Sequence, residues 1–207
     1  TPMPNTPNID SAIADYDRLA EDLAGSYAKL GVERFRDFNV DLLPALPARV
    51  LDIGAGGGQT AAGLADMGYE VMAVEPSSGM REQALKLFPD SKVSWIDDRL
   101  PNLSKVKALS KPFDFVLLNA VWMHVPPDLR QTAMASVAAL SAPGAVLTVA
   151  LRHGPSPEGR QMHEADADPF IELAAEQGLT VIRRKETGDP LKRGDGVTFT
   201  RLCLRKG

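Results

Sequence analysis

The chain has 207 residues, of which 44% are hydrophobic and 24% charged, the size and balance of one soluble globular domain; a disordered, collagenous or membrane-spanning chain is excluded. With 23 basic against 27 acidic residues the net charge is −4, which argues against wholesale coating of a polyanion. The single cysteine, Cys203, excludes an internal disulfide or a cysteine-rich metal site, and the histidines lack metal-ligand spacing. Cys203 lies in an apolar–polar alternation that marks a packed strand thiol. No basic start leads into an apolar run, and no apolar run is long enough for a bilayer, so the expectation is a cytoplasmic protein.

Residues 1–8 carry three prolines and no apolar period, and read as a flexible tail. Residues 9–30 repeat apolar side chains at helical spacing (Ile13, Tyr16, Leu19, Leu23, Tyr27), and 32–43 offer a second short helix ended by Pro44 and Pro47. The pattern then alternates. Strands are expected at 49–53, 69–74, 92–96, 113–118 and 145–151, with helices at 59–67, 77–87 and 129–140 and a turn at Pro143-Gly144. Near-continuous apolar strands separated by helices indicate a parallel sheet covered on both faces, doubly wound by right-handed crossovers. A helix at 170–177 is followed by strands at 179–184 and 197–204 with only the polar loop 188–196 between them, so the last two strands form an antiparallel hairpin. Residues 9–207 are expected to make one domain, with 9–45 as a helical cap.

The most informative stretch is Val50-Leu51-Asp52-Ile53-Gly54-Ala55-Gly56-Gly57-Gly58-Gln59, in which a strand enters a glycine turn and a helix leaves it. Glycines at 54, 56 and 58 exceed what a tight turn requires and suit backbone that closely approaches a ligand. The dinucleotide fingerprint wants glycine at the sixth place, where this chain has Gln59. Glu75 ends the second strand, where a carboxylate can accept both hydroxyls of a ribose.

The Gly54, Gly56, Gly58 alternation followed by Glu75 resembles the class I S-adenosylmethionine-dependent methyltransferase family, over nearly the whole chain. The resemblance implies a seven-stranded Rossmann-like α/β sheet of order 3-2-1-4-5-7-6, with the N-terminal helices over the crevice. It implies S-adenosyl-L-methionine as cofactor, its methionine part wrapped by Gly54, Ala55 and Gly56 with Asp52 fixing the amino end. Glu75 would hold the ribose, and Pro76, Ser77 and Met80 would line the adjacent wall. Trp95-Ile96-Asp97-Asp98-Arg99 looks like the family's adenine-binding stretch; Asp97, with Asp98 as the alternative, would accept from the exocyclic amine and Arg99 would flank the ring. Phe113 to Val125 resembles the family's fourth motif, ending in Asn119-Ala120-Val121-Trp122 instead of the Asn/Asp-Pro-Pro-Tyr/Phe tetrad of DNA-base and glutamine methylases. Asn119, Ala120 and Val121 would border the cofactor, Trp122 the substrate, and His124 is the catalytic candidate, with a structural histidine as its equal alternative.

Tyr16, on the first helix, is expected to reach the cofactor. Arg152, His153 and Arg160, in the long polar loop after the fifth strand, can bind an anionic acceptor, as can His163; a solvated loop is the competing reading. From residue 183 onward eight basic residues face three acids, which a solvated strand face explains in large part (Arg201 and Arg205 alternate with apolar neighbours). The expectation is methyl transfer to a small molecule, without a nucleic-acid or membrane partner. RNA or protein methylation on the same fold, an NAD-type oxidoreductase and a non-catalytic nucleotide-binding module are the alternatives. Oligomeric state and acceptor atom are not legible.

Overall fold

The computed structural model describes residues 8–109, 111–160, 162–192 and 196–207. The expected tail therefore lies, apart from Asn8, outside the described residues, as do Gln161 of the long loop and part of the 188–196 turn. The elements run α1 (Ile9–Arg18), α2 (Ala20–Ala28), α3 (Glu33–Asn39), β1 (Arg49–Ile53), α4 (Gln59–Asp66), β2 (Glu70–Val74), α5 (Ser78–Leu87), β3 (Ser94–Ile96), α6 (Ser104–Ala108), β4 (Phe113–Asn119), α7 (Arg130–Leu140), β5 (Ser141–His153), α8 (Ala167–Glu176), β6 (Leu179–Gly188) and β7 (Thr198–Lys206). They build one sheet of order β3-β2-β1-β4-β5-β7-β6, parallel except that β7 runs antiparallel to both neighbours.

Strand alternation divides the core. On β1, Leu51 and Ile53 join Val116, Leu118, Leu147 and Val149 under α7 and α8, whereas Val50 joins Phe115, Leu117 and Ala73 under α3 and α4. Asp52 takes the next place on the Val50 face, where the pattern calls for an apolar residue, and is 3% exposed. Cys203 is fully buried, and its thiol reaches Asn39 Oδ1 at 3.4 Å.

Three expectations change. The helix over 9–30 is two helices, because Leu19 leaves helical geometry at φ −104°, ψ 8° and lets α2 turn onto α5. Pro143-Gly144 is a bulge inside β5: Phe113 pairs Ser141 while Phe115 pairs Val146, so the intervening residues loop out, with Gly144 at φ +80°. The short helix α6 was not anticipated, since five residues carry too little periodicity to read.

The N-terminal helices dock through small contacts. Asp17 Oδ1 accepts from Ser77 Oγ (2.7 Å) and from the Gly79 N–H (2.9 Å), placing an anion at the start of α5, while Ser77 Oγ caps that helix by accepting from the Met80 N–H at 3.0 Å. A Cβ on Gly79 would lie 3.0 Å from the Ala20 methyl, and one on Gly63 would lie 2.5 Å from Val32 Cβ. Glycine on α4 and α5 thus lets α2 and α3 lie against the sheet-covering helices.

Candidate active site

A cavity of about 280 Å³ opens outside the carboxyl ends of β1, β2 and β4, roofed by α1 to α3 and by the loop after β5. This is where open parallel sheets leave a crevice. Its floor is the glycine turn. Gly54 and Gly58 have φ +70° and +77°, left-handed values that side-chain-bearing residues rarely adopt. A Cβ on Gly54 would also lie 2.4 Å from Val121 Cγ2, and one on Gly58 would lie 2.9 Å from Trp95. The turn is therefore pinned between the β4 loop and α5, leaving the Gly54, Ala55 and Gly56 backbone in the cavity wall.

Two acids face this turn. Glu75 is 7% exposed and accepts the Gly56 N–H on Oε2 and the Ser77 N–H on Oε1, both at 2.9 Å. Each oxygen keeps a lone pair for a further donor. Burial pushes its carboxyl upward against those two hydrogen bonds. Asp52 accepts no hydrogen bond among the described residues, and burial, then the Glu75 charge, raise its carboxyl to about 7. No lysine or arginine side chain donates to either carboxylate among the described residues. Two desolvated carboxylates over a bare backbone turn suit a ligand that brings hydroxyls and positive charge.

The opposite end is cationic. Arg160, 8% exposed, donates from Nη1 to the hydroxyls of Tyr16 (3.2 Å) and Tyr27 (3.4 Å). The Tyr16 hydroxyl meets His124 Nε2 at 3.2 Å, with the two rings edge to face. Burial first, then the Arg160 charge, hold the His124 imidazole down at about 4, and burial raises the Tyr16 phenol. Arg152 is 7% exposed and donates to the Pro155 carbonyl at 2.8 Å. Arg34 and Arg201 also line this end. Arg201 lies 4.1 Å from the centre of the Phe38 ring, and burial together with Arg34 lowers it to about 10.

The structure thus brings together Tyr16, Asp52, Gly54, Ala55, Gly56, Glu75, Pro76, Asp98, Arg99, Asn119, Ala120, Val121, His124, Arg152 and Arg160 around one cavity. Other expected residues lie elsewhere. Trp122 is 1% exposed, edge-on to Phe170 in the core, because the short helical turn after β4 swings its indole under the sheet. Met80 and Ser77 are buried behind the wall, the first as a core contact of α2 and the second as the α5 cap. His153 is turned to β7, its Nε2 2.8 Å from the Thr200 hydroxyl. His163 lies outside the lining, with its backbone N–H on the Met123 carbonyl.

Asp97 sits on an adjoining shallow recess shared with Asp98 and Arg99, and pairs with Arg81 at 3.6 Å. The Asp98 carboxylate is occupied by the N–H groups of Arg99, Lys105 and Val106, at the start of α6. Asp10 on α1 reaches Arg99 across the mouth at 2.5 Å.

Sequence reasoning missed Arg34, Gln59, Thr187, Phe199 and Arg201 as wall residues. Arg201 is not on a solvated face, because β7 is an interior strand whose first half passes beneath α3. The eventual neighbours of Arg34 and Arg201 are far apart in the chain.

Residues 51–149 match the family model described as "Methyltransferase domain". A curated relative from Staphylococcus carnosus, an uncharacterized methyltransferase, is 30% identical over 94 residues, which are 45% of this chain and 42% of the relative; the match therefore spans less than half of that protein's length. Among solved structures, the Burkholderia thailandensis 1,6-didemethyltoxoflavin-N1-methyltransferase, with bound 1,6-didemethyltoxoflavin and S-adenosylhomocysteine, superimposes with TM-score 0.71 at 21% identity, over 100% of this chain and 92% of that one. The [4+2]-cyclase SpnF also superimposes with TM-score 0.71, at 14% identity, over 100% of this chain and 98% of that one. At such identities the likeness is one of fold, and that fold has the strand order found here. Over residues 51–149 this chain is similar to the methyltransferase domain family, and its seven-stranded sheet has the Rossmann-like methyltransferase fold.

Proposed function

We propose that the chain binds S-adenosylmethionine and transfers its methyl group to a small anionic acceptor. The observation that carries this reading is the charge division of one crevice: two buried carboxylates at the glycine turn that no lysine or arginine side chain hydrogen-bonds among the described residues, and buried guanidinium groups elsewhere in its wall. The carboxylates suit the ribose hydroxyls and the cationic amino end of the cofactor. Glu75 would take the hydroxyls on its free lone pairs, Asp52 the amino end through its charge, and the Gly54–Gly56 backbone would lie along the methionine part. Asp97, on the adjoining recess, would receive the adenine amine, with Asp98 and Arg99 shaping the ring's edge.

Bound cofactor supplies an activated methyl group on an excellent leaving group. The chain's task is then to align the acceptor and exclude water. Asn119, Ala120 and Val121 at the end of β4 would border the reacting centre, with His124 and Tyr16 beside it. Arg152 and Arg160 would draw the acceptor in. The roof of α1 to α3 over the cavity favours a small molecule over RNA or protein, and Gln59 together with the antiparallel β7 disfavours a dinucleotide oxidoreductase. Because the same fold carries a cyclase, binding and transfer need separate tests. Calorimetry should give S-adenosylhomocysteine a Kd of about 1–100 μM, and methyl-labelled cofactor should pass label to a small acid. Absence of binding, or binding without transfer to any acceptor class, would remove the reading.

A further inference from the structure

Arg160 is a buried charge that the fold alone does not account for. It is 8% exposed, it forms no salt bridge among the described residues, and its only side-chain partners there are two neutral phenols. Its Nε is buried and unpartnered. A guanidinium held this way lacks the carboxylate that normally offsets its desolvation. Its five donors form a planar fork matched to a carboxylate, and the unused edge belongs to a residue of the cavity wall.

Arg160 can only donate, so the Tyr16 oxygen accepts from it, and the same hydroxyl engages His124 Nε2 in either tautomer of the ring. The other ring nitrogen, Nδ1, is buried without a partner among the described residues. Burial, then the Arg160 charge, disfavour the charged imidazole and hold it down at about 4. An alcohol or ammonium acceptor would have to give up a proton, which an imidazole so held takes up poorly. An acceptor arriving as an anion needs no base. Beside its guanidinium groups the cavity wall also carries apolar side chains, among them Leu30, Phe35, Leu191 and Phe199.

We propose, resting on the methyltransferase reading above, that the acceptor is a carboxylic acid with an apolar body, that Arg160 grips its carboxylate, and that one carboxylate oxygen is itself the nucleophile, so that the product is a methyl ester. The oxygen gives an electron pair to the methyl carbon while the carbon–sulfur bond breaks and leaves its pair on sulfur. The negative charge of the acid and the positive charge of the sulfonium vanish together, and no proton moves. His124 acts as a positioning residue that orients Tyr16, and through it Arg160.

The test uses the full chain saturated with S-adenosylhomocysteine and titrates benzoate, 2-naphthoate, octanoate and decanoate against their primary amides. At least one acid should bind more than about tenfold tighter than its amide. Arg160→Gln should erase that preference and Arg160→Lys should keep part of it, with the affinity for S-adenosylhomocysteine unchanged in both. With methyl-labelled S-adenosylmethionine the same acid should yield a product from which alkali releases labelled methanol. Acids and amides binding alike, a preference that survives Arg160→Gln, or an alkali-stable product would overturn the proposal while leaving cofactor binding intact. Failure of S-adenosylhomocysteine to bind would bring down the methyltransferase reading and this inference together.

Discussion

The two ends of the crevice are assembled differently. The acidic end comes from one β-turn-α-β unit, with Asp52, Gly54, Gly56 and Glu75 set by a single turn and two adjacent parallel strands. The cationic end draws Tyr16 from α1, Arg34 from α3, Arg160 from the loop after β5 and Arg201 from β7, residues that meet only through the tertiary fold. The first end is local, rigid and committed to one ligand shape. The second joins the mouth of the cavity to its roof, with the side chain of Arg18 donating to the Gly159 carbonyl at 3.1 Å and Arg160 bonding Tyr16. In the proposed reading, cofactor binding falls to the part that cannot vary without breaking the turn, and acceptor choice to parts that can.

Substitutions should separate these roles. Gly54→Val forces a side chain onto a left-handed backbone and against Val121; strain of about 1–3 kcal/mol plus the overlap should abolish S-adenosylhomocysteine binding by calorimetry. Trp122→Ala should lower unfolding free energy by about 3–5 kcal/mol in a urea titration, yet leave cofactor affinity nearly intact, since the indole lies in the core and not in the wall. A collapse of affinity at unchanged stability would return Trp122 to the site. Glu75→Ala removes the acceptor for two backbone N–H groups and, in the proposed reading, for the ribose, and should weaken binding by about 2–3 kcal/mol, roughly 30- to 150-fold.

Asp52 carries a pH signature. Its carboxyl titrates near 7 when folded and at its ordinary value when unfolded, so the folded chain holds the proton more tightly. Stability of the ligand-free protein should therefore fall as pH rises from about 4 to about 7. Asp52→Asn should raise stability by on the order of 2 kcal/mol above pH 7 and bring no gain near pH 4, as read from melting curves. A ligand with a cationic amino end favours the ionised acid, so wild-type affinity should rise with pH across the same window and the variant's should stay flat. The smallest effect belongs to Tyr16→Phe, which loses one link between Arg160 and His124: about 1 kcal/mol, or roughly fivefold, on turnover, with cofactor Kd little changed.

How much of this was legible follows the same division. The alternating strands and helices and the closing hairpin could be read because apolar strands, glycine stops and a helix-free final loop are written in consecutive residues; the sheet order followed from the family resemblance. Asp52 and Glu75 could be read because their distances from the glycine turn are set within one unit. Trp122 could not, since a residue just past a strand end points either way depending on a short helical turn. Asp98 could not be told from Asp97, because its partners are the N–H groups of an unexpected five-residue helix. His153 looked like rim chemistry, but the register of β5 against β7 turns it to Thr200. Arg34 and Arg201 carried no local signal because they meet the cavity only through the docking of α3 over β7.

The most direct measurement is a crystal structure of the chain grown with S-adenosylhomocysteine. The account predicts density in the crevice with the ribose hydroxyls on Glu75, the amino-acid portion along Gly54 to Gly56 toward Asp52, and the sulfur facing the side that Arg160 and Tyr16 close. Density placing the nucleoside away from Glu75, or a crevice that takes up a nicotinamide dinucleotide instead, would contradict it.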